Sequence, residues 1–317
     1  MNPKAIILLF AIISLTFCTA PSSLWISQQS YSLNKVGKKC LVIDKSSHIA
    51  GNCYTENKNN ITVHTYGPHI FHTSNKEVWG WINQFVEFNN FRNTPVANYK
   101  GEIYSLPFNM WTFNKLWNVT HPHEAKTIID EQSKHIDEPS NLEEQAISLV
   151  GPEVYEVFIK GYTEKQWGRS CKELPTFIIK RLPMRFTYDN NYFDDKYQGI
   201  PIDGYTKMFE NMLDDIDVIV DENYFENKDH WDSMANKVVF TGKIDEYFNY
   251  EFGELEYRTL EFQHELLDTD NYQGMPQVNY PSLDVPWTRI IEHKHYTKVK
   301  TPKTIITREI PVAWDKT

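Results

Sequence analysis

The sequence predicts an α/β fold in which a parallel-sheet domain is interrupted by an inserted helical part. Three observations carry that reading. Lys39-Cys40-Leu41-Val42-Ile43-Asp44 is a short apolar run ending in an acid, the pattern of a strand buried on both faces. The middle of the chain carries helix signals, with helical apolar spacing from Glu77 to Phe88 and a capping Asn141 followed by Glu143 and Glu144. Beyond about Tyr192 the apolar segments are short and strand-like.

Taken in order, Ala5 to Phe17 is an apolar run behind Lys4, with Cys18-Thr19-Ala20 after it. It is too short for a spanning helix and matches the outline of a signal peptide. The other reading is a buried first strand. Ala97 to Leu106 predicts a hairpin about Lys100-Gly101. From Asn141 helix continues to about Tyr162, with Pro152 at a first-turn position. Strands are expected at Val218–Val220, Val238–Gly242, Leu255–Phe262, Thr288–Glu292 and Thr304–Glu309.

A chain of 317 residues suffices for two or three domains, and 41% apolar with 23% charged residues is globular composition. The net charge of −10, without a long basic run, excludes nucleic-acid binding through a phosphate footprint. An anionic ligand would need a local basic site. Aromatic content is high at 14%, which suits a core and equally a carbohydrate or nucleotide cleft. Cys18, Cys40, Cys53 and Cys171 form no CxxC pair, and that fits a reducing, cytoplasmic setting. Routing to secretion by residues 1–20 is the alternative, supported only by that run and the sequon Asn118-Val119-Thr120.

The densest functional segment is Gly161-Tyr162-Thr163-Glu164-Lys165-Gln166-Trp167-Gly168, followed by Arg181. Aromatic rings stack on bases and sugars, and Arg grips a diphosphate through paired charge-assisted hydrogen bonds. The combination points to a sugar nucleotide, with Arg181 and Arg289 as clamp candidates. Tyr162, Trp167 and Tyr192 serve equally as core aromatics on spacing alone. Asp44 ends a strand, where an acid can bind a ribose through its hydroxyls. The G-x-G-x-x-G that should accompany it is absent, because no glycine precedes Gly37. His64, His69 and His72, like His293 and His295, lack the acid or cysteine partners of a metal motif, so no metal is expected.

From about Lys38 to Trp314 the chain resembles the bacterial UDP-galactopyranose mutases. The resemblance rests on Tyr66-Gly67-Pro68-His69-Ile70-Phe71-His72-Thr73, Leu106-Pro107-Phe108-Asn109-Met110 and Asn141 to Ala146. It rests further on Gly161 to Arg169, Phe177 to Arg181, Asp189-Asn190-Asn191-Tyr192, Gly199 to Lys207 and Thr288 to His293. It implies an incomplete Rossmann-like FAD-binding domain with an inserted helical domain and an antiparallel sheet domain. The implied division is 1–33 aberrant or signal-like, 34–75 partial FAD domain, 76–185 helical insertion with part of the sheet domain, and 186–317 sheet domain with the remaining FAD-domain strands.

That family interconverts UDP-galactopyranose and UDP-galactofuranose with reduced FAD. The resemblance implies that the flavin N5 displaces UDP from the anomeric carbon, the adduct opens, and the ring recloses through another hydroxyl. It assigns Arg181, Arg289 and His72 to catalysis, and Asn93, Phe158, Tyr162, Thr163, Trp167, Tyr192 and Asn279 to substrate. Asp44, Lys45, Asn52, His69, Ile70, Asn223 and Tyr224 fall to the flavin. A homodimer is the family habit, and neither nucleic acid nor membrane is an expected partner.

The departures lie at the ends. Met1 to about Leu33 replaces the family's first strand and glycine loop, and Ala50 stands for a glycine. The family pattern also runs several dozen residues beyond Thr317. Weak FAD binding follows as an expectation. An inactive remnant, a UDP-sugar-binding module, and a secreted carbohydrate-binding module stand as alternatives to a mutase.

Overall fold

The computed structural model describes residues 5–10, 22–133, 136–179 and 184–313. It divides into two compact units, residues 1–91 with 196–256 and residues 92–195 with 257–317. Both are discontinuous in sequence, as a sheet domain carrying an insertion requires.

The first unit is built on β1 (Ala5–Phe10), α1 (Ser22–Lys35) and β2 (Cys40–Asp44). β1 pairs in parallel with β2, and the helix between them makes this a β-α-β crossover. β9 (Asp217–Ile219) and β10 (Ala235–Phe240) complete a parallel sheet ordered β10-β1-β2-β9. This is the inner strand order of a nucleotide-binding Rossmann sheet. Because side chains alternate, β2 serves both faces. Cys40 and Val42 pack with Ile26 of α1 and Leu213, whereas Leu41 and Ile43 pack with Tyr224, Trp231 and Ala235. The expected strand is therefore present and buried on both sides.

The segment expected as an aberrant or signal-like leader supplies β1 and α1 to this unit, a departure from the division drawn from sequence. Pairing to both β10 and β2 satisfies the backbone groups of residues 5–10, which is how a short apolar run becomes a central strand. The first unit also claims residues 76–91 and 196–256, so the boundaries drawn at 75 and 185 move.

A hairpin of β3 (Thr55–Lys58) and β4 (Ile61–His64), and a pair formed by β5 (Phe71–Thr73) and β8 (Tyr197–Gly199), lie in the same unit. α2 (Lys76–Ile82) is capped by Asn75, whose side chain accepts from the amides of Glu77 at 2.8 Å and Val78 at 3.2 Å. It stops six residues short of the Phe88 expected from periodicity. Phe85, Val86 and Phe88 stay buried in turns against Met208 and Phe209 of α7 (Gly204–Met212), so the apolar spacing outlasts the helix. α8 (Lys228–Met234) leads into β10.

His64 is 1% exposed on β4 and stands edge-on to Tyr205 at 6.1 Å. Burial, reinforced by the charge of His69, lowers its pKa from 6.5 to about 3. The unfolded chain takes up a proton near pH 6.5 that the folded chain refuses. Stability is complete above that pH and falls by roughly 1.4 kcal/mol per unit as pH drops toward 3. Urea denaturation between pH 6.5 and 5 is expected to show this slope in the wild type and lose it in His64→Phe; equal slopes would refute the assignment.

The second unit carries a sheet ordered β11-β14-β13-β12-β6-β7. Its strands are β6 (Val96–Tyr99), β7 (Glu102–Ser105), β11 (Arg258–Leu267), β12 (Gln277–Asn279), β13 (Arg289–Glu292) and β14 (Thr304–Ala313). All neighbours are antiparallel except β12 and β6. The expected hairpin turns at Lys100 and Gly101, both with positive φ (52° and 91°). Helices α3 (Met110–Trp117), α4 (Pro122–Gln132), α5 (Leu142–Val154) and α6 (Gly161–Trp167) share one core. Phe113, Met110, Leu142, Val150 and Val154 are fully buried there, each contributing about 1.5–3 kcal/mol.

Asn141 caps α5 by accepting from the Glu144 amide at 3.0 Å. At Gly151 (φ 77°, ψ 164°) the helix breaks, and Pro152 restarts it at a first-turn position. A π-helical turn, Tyr155–Lys160, then leads directly into α6. Among the described residues no helix is long and apolar enough to cross a membrane.

Candidate functional site

In the second unit, strand register assembles the polar row that spacing could not. Asn279 pairs with Arg289 across β12 and β13, and Arg289 pairs with Glu309 across β13 and β14. Residues opposite one another in a sheet share a face, so three polar side chains stand in line across three strands. Arg289 donates from Nε to the Glu309 carboxylate. Glu309 is 1% exposed, and its second oxygen, Oε1, is buried without a hydrogen-bond partner. Burial raises the Glu309 pKa above the usual carboxylate range, and the attraction of Arg289 only partly offsets it. For Arg289, burial alone would favour loss of the proton, but the Glu309 carboxylate holds the guanidinium charged, raising its pKa. Among the described residues its two Nη groups make no hydrogen bond within the chain, so their donors remain for an anion.

Tyr162, half-buried on α6, belongs to the same neighbourhood. Burial raises its pKa, the Arg289 charge opposes that, and Glu309 and Tyr192 add to it. Its phenol therefore stays protonated at neutral pH and can donate. Thr163 is buried beside it, and Trp167 packs at the edge of the helical core. Tyr192 is exposed, and its amide donates to the Asn93 carbonyl at 2.8 Å. The Asn93 side-chain Oδ1 is buried without a partner. Arg185 reaches round this loop, with Nη2 3.1 Å from the Tyr192 carbonyl and 2.8 Å from Asp194. Phe158 lies on the π-helical turn against Tyr104 (5.0 Å) and Phe108 (5.2 Å), so it is also a core residue. Asn279 Oδ1 accepts from Gln277 Nε2 at 2.8 Å. Arg181 lies outside the described residues.

The first unit gathers a different set. Asp44 ends β2, is 2% exposed, and accepts from the Ser46 amide at 2.9 Å through Oδ1. Its Oδ2 is buried with no partner. Burial raises its pKa, against the lowering hydrogen bond from Ser46. The amides of Asp221 and Glu222 donate to the carbonyls of Ser46 (2.9 Å) and Asp44 (3.1 Å), which brings Asn223 and Tyr224 next to the strand end. Both have structural duties there. The Asn223 side chain caps a short turn through the Phe225 amide at 3.1 Å. Tyr224 is 4% exposed and donates to Asp232 at 2.6 Å, and burial followed by Asp232 raises its pKa to about 12. Lys45 is exposed and Asn52 half-buried in the turn after Ala50. Ala50 is buried with φ 74°, the left-handed conformation that a glycine would adopt freely. His69, Ile70 and His72 are half-buried on and before β5.

Sequence reasoning missed Glu309 and Lys165. The only signal for Glu309 was its place in a strand-like segment, Thr304 to Val312, where it follows Arg308 between Ile306 and Ile310.

A family model described as UDP-galactopyranose mutase matches residues 157–317, and one described as an NAD(P)-binding Rossmann-like domain matches residues 29–85. A dTDP-fucopyranose mutase of Escherichia coli is 41% identical over 288 residues, covering 88% of this chain and 76% of its own. The chain belongs to the UDP-galactopyranose mutase family. A probable UDP-galactopyranose mutase of Klebsiella pneumoniae is 42% identical over 269 residues, 84% of this chain and 70% of that one. Among solved structures, one titled as reduced UDP-galactopyranose mutase superposes with a TM-score of 0.65 at 13% identity, over 98% of this chain and 75% of that chain. At that identity the likeness speaks for the fold alone, which in both proteins joins a Rossmann-like domain to a mixed helix and sheet domain.

Proposed function

We propose that this chain binds the diphosphate of a UDP-hexose through its second unit and interconverts UDP-galactopyranose and UDP-galactofuranose only when FAD is supplied to it in excess. The observation that carries the substrate half is Arg289: a guanidinium held charged by a buried carboxylate, with its Nη donors uncommitted. Glu309 fixes its orientation, and Tyr162 supplies a protonated phenol beside it. Arg289 holds the diphosphate and stabilises the charge that grows on UDP as it departs. Trp167 and Tyr192 offer stacking faces for the sugar and base, and Arg181 is the second clamp residue by family position.

The cofactor half is divided. Asp44, with a buried oxygen awaiting a donor, fits a ribose hydroxyl. The sequence that connects β1 to α1 lacks the glycines with which a pyrophosphate loop is built. Residues 11–21 contain no glycine, and Pro21, which has no N–H, stands directly before the helix. A dinucleotide needs close backbone approach and free amides at that point.

Calorimetric titration with UDP is expected to show one site per chain, abolished in Arg289→Ala. Chromatographic assay of UDP-galactofuranose with excess dithionite-reduced FAD is expected to show isomerisation that vanishes when free flavin is removed. Absence of UDP binding would refute the substrate reading. A dTDP-6-deoxyhexose is the second reading, favoured by the 41% identity to the dTDP-fucopyranose mutase. Titration with dTDP in parallel decides it, since a tenfold preference for dTDP would displace UDP as the assigned ligand.

A further inference from the structure

Lys165 lies on α6 between Tyr162 and Trp167, yet its ammonium is turned to a different task. Nζ donates to four backbone carbonyls of one loop: Tyr280 at 2.5 Å, Ser282 at 2.8 Å, Trp287 at 2.8 Å and Val285 at 3.3 Å. An ammonium has three hydrogens, so this loop saturates it. The loop is the connection between β12 and β13. Asn279 is the last residue before it and Arg289 the first strand residue after it. Its base is closed by the Tyr280 amide on the Thr288 carbonyl at 2.8 Å.

A second contact lies one helical turn earlier, on the same face of α6. A Cβ on Gly161 would stand 2.3 Å from the Pro281 carbonyl oxygen and 3.3 Å from Leu283, so only glycine lets helix and loop approach this closely. On the other side, Arg258 of β11 donates from Nε to the Gln166 carbonyl at 3.1 Å and from Nη2 to the Lys165 carbonyl at 3.4 Å. The end of α6 is thereby fixed to the sheet as well as to the loop.

We propose that Lys165 is a positioning residue of the sugar-nucleotide site: its ammonium gathers the 280–287 loop so that Asn279 and Arg289, at the loop's two ends, keep one arrangement with Tyr162 and Trp167 on the helix. The proposal rests on the reading of the second unit as a diphosphate site. An apolar side chain in place of Lys165 would leave four carbonyls without their donor. The charge that bears on the ammonium is Asp284 from the loop, while Arg258 of β11 meets the main chain of Lys165 and not its side chain. Burial lowers the Lys165 pKa to about 8, with Asp284 acting in the opposite direction. Above that pH the amine loses a donor and turns a lone pair toward carbonyl oxygens, and the gathering weakens.

The test uses the full chain, UDP as the probe, and two readouts. Lys165→Met is expected to bind UDP about tenfold more weakly at pH 7 and to exchange the amides of residues 280–287 faster at the same pH. Wild-type affinity is expected to fall as pH rises from 7 to 9, while the affinity of Lys165→Met stays level. Tyr162 and Arg289 titrate above that window, and the UDP phosphates below it. Gly161→Ala keeps the ammonium but pushes on the Pro281 carbonyl, so it is expected to loosen the same loop and remains informative should Lys165→Met fail to fold. Unchanged loop exchange in both variants overturns the proposal, as does wild-type UDP affinity in Lys165→Met with an identical pH profile. Failure of the wild type to bind UDP would refute the diphosphate reading instead, and loop exchange would still decide whether Lys165 holds the loop.

Discussion

Replacing Arg289 by Met is expected to destabilise the second unit by about 3–5 kcal/mol, and adding Glu309→Leu is expected to restore most of that loss. The reason is the asymmetry of a buried ion pair. Desolvating two charges roughly cancels their attraction, so removing both is mild, while removing one strands the other. Glu309 is 1% exposed and already has one oxygen without a partner. Without Arg289 neither oxygen would be satisfied.

The pH dependence distinguishes this cause from a packing defect. Glu309 has its pKa raised in the folded state by burial, so its favourable contribution is present below the unfolded carboxyl pKa and is lost as pH rises through the folded value. Arg289 limits that loss, because it pulls the folded pKa back down. In Arg289→Met the folded pKa rises further, so the deficit should be larger at pH 7.5 than at pH 5. Urea denaturation at both pH values measures it, and a deficit independent of pH would rule out the stranded carboxylate. The double variant also separates stability from binding. It should fold nearly as well as the wild type yet bind no UDP, which would show that the pair is retained for its ligand and not for the fold.

Local chemistry explains what could be read from sequence. Cys40 to Asp44, the Lys100-Gly101 turn, the Asn141 cap and the Pro152 restart each follow from residues within a few positions of one another, and the structure has them all. The turn of β3 and β4 was equally local, signalled by Asn59 and Asn60 with φ of 53° and 62°, but its strands carry little apolar alternation. The end of α2 was hidden because Phe85, Val86 and Phe88 are buried whether or not they are helical. The site depended on register. Asn279, Arg289 and Glu309 meet only because three antiparallel strands align them, and Lys165 reaches carbonyls 115 to 122 residues away. Neither relation has a local signature: Arg289 stood out as a clamp candidate by its chemistry and by the family resemblance, and Lys165 only as one member of the segment Gly161 to Gly168, without the loop it holds.

The purified chain is expected to carry FAD at well under one molecule in ten, and grafting a glycine-rich loop in place of residues 11–21 is expected to bring that ratio close to one. The strand order and crossover that place a dinucleotide are present, with β1 between β10 and β2 and α1 following it. What the sequence of the connection lacks is glycine, and with it the freedom for the closest backbone approach to a pyrophosphate. Each charge-assisted hydrogen bond to a pyrophosphate contributes about 1.5–3 kcal/mol, so losing two of them weakens binding by roughly two to four orders of magnitude. On the proposed reading Asp44 would add a single ribose contact, which cannot offset such a loss. If the graft works because the rest of the Rossmann sheet is competent, then Asp44→Ala within the grafted chain should release flavin again, by about tenfold to a hundredfold in affinity. The flavin spectrum of each purified protein, scaled to protein concentration, reads all three cases. Stoichiometric FAD in the ungrafted chain would mean that residues 11–21 supply backbone donors without glycine. The barrier to mutase turnover would then lie elsewhere than in loading the cofactor.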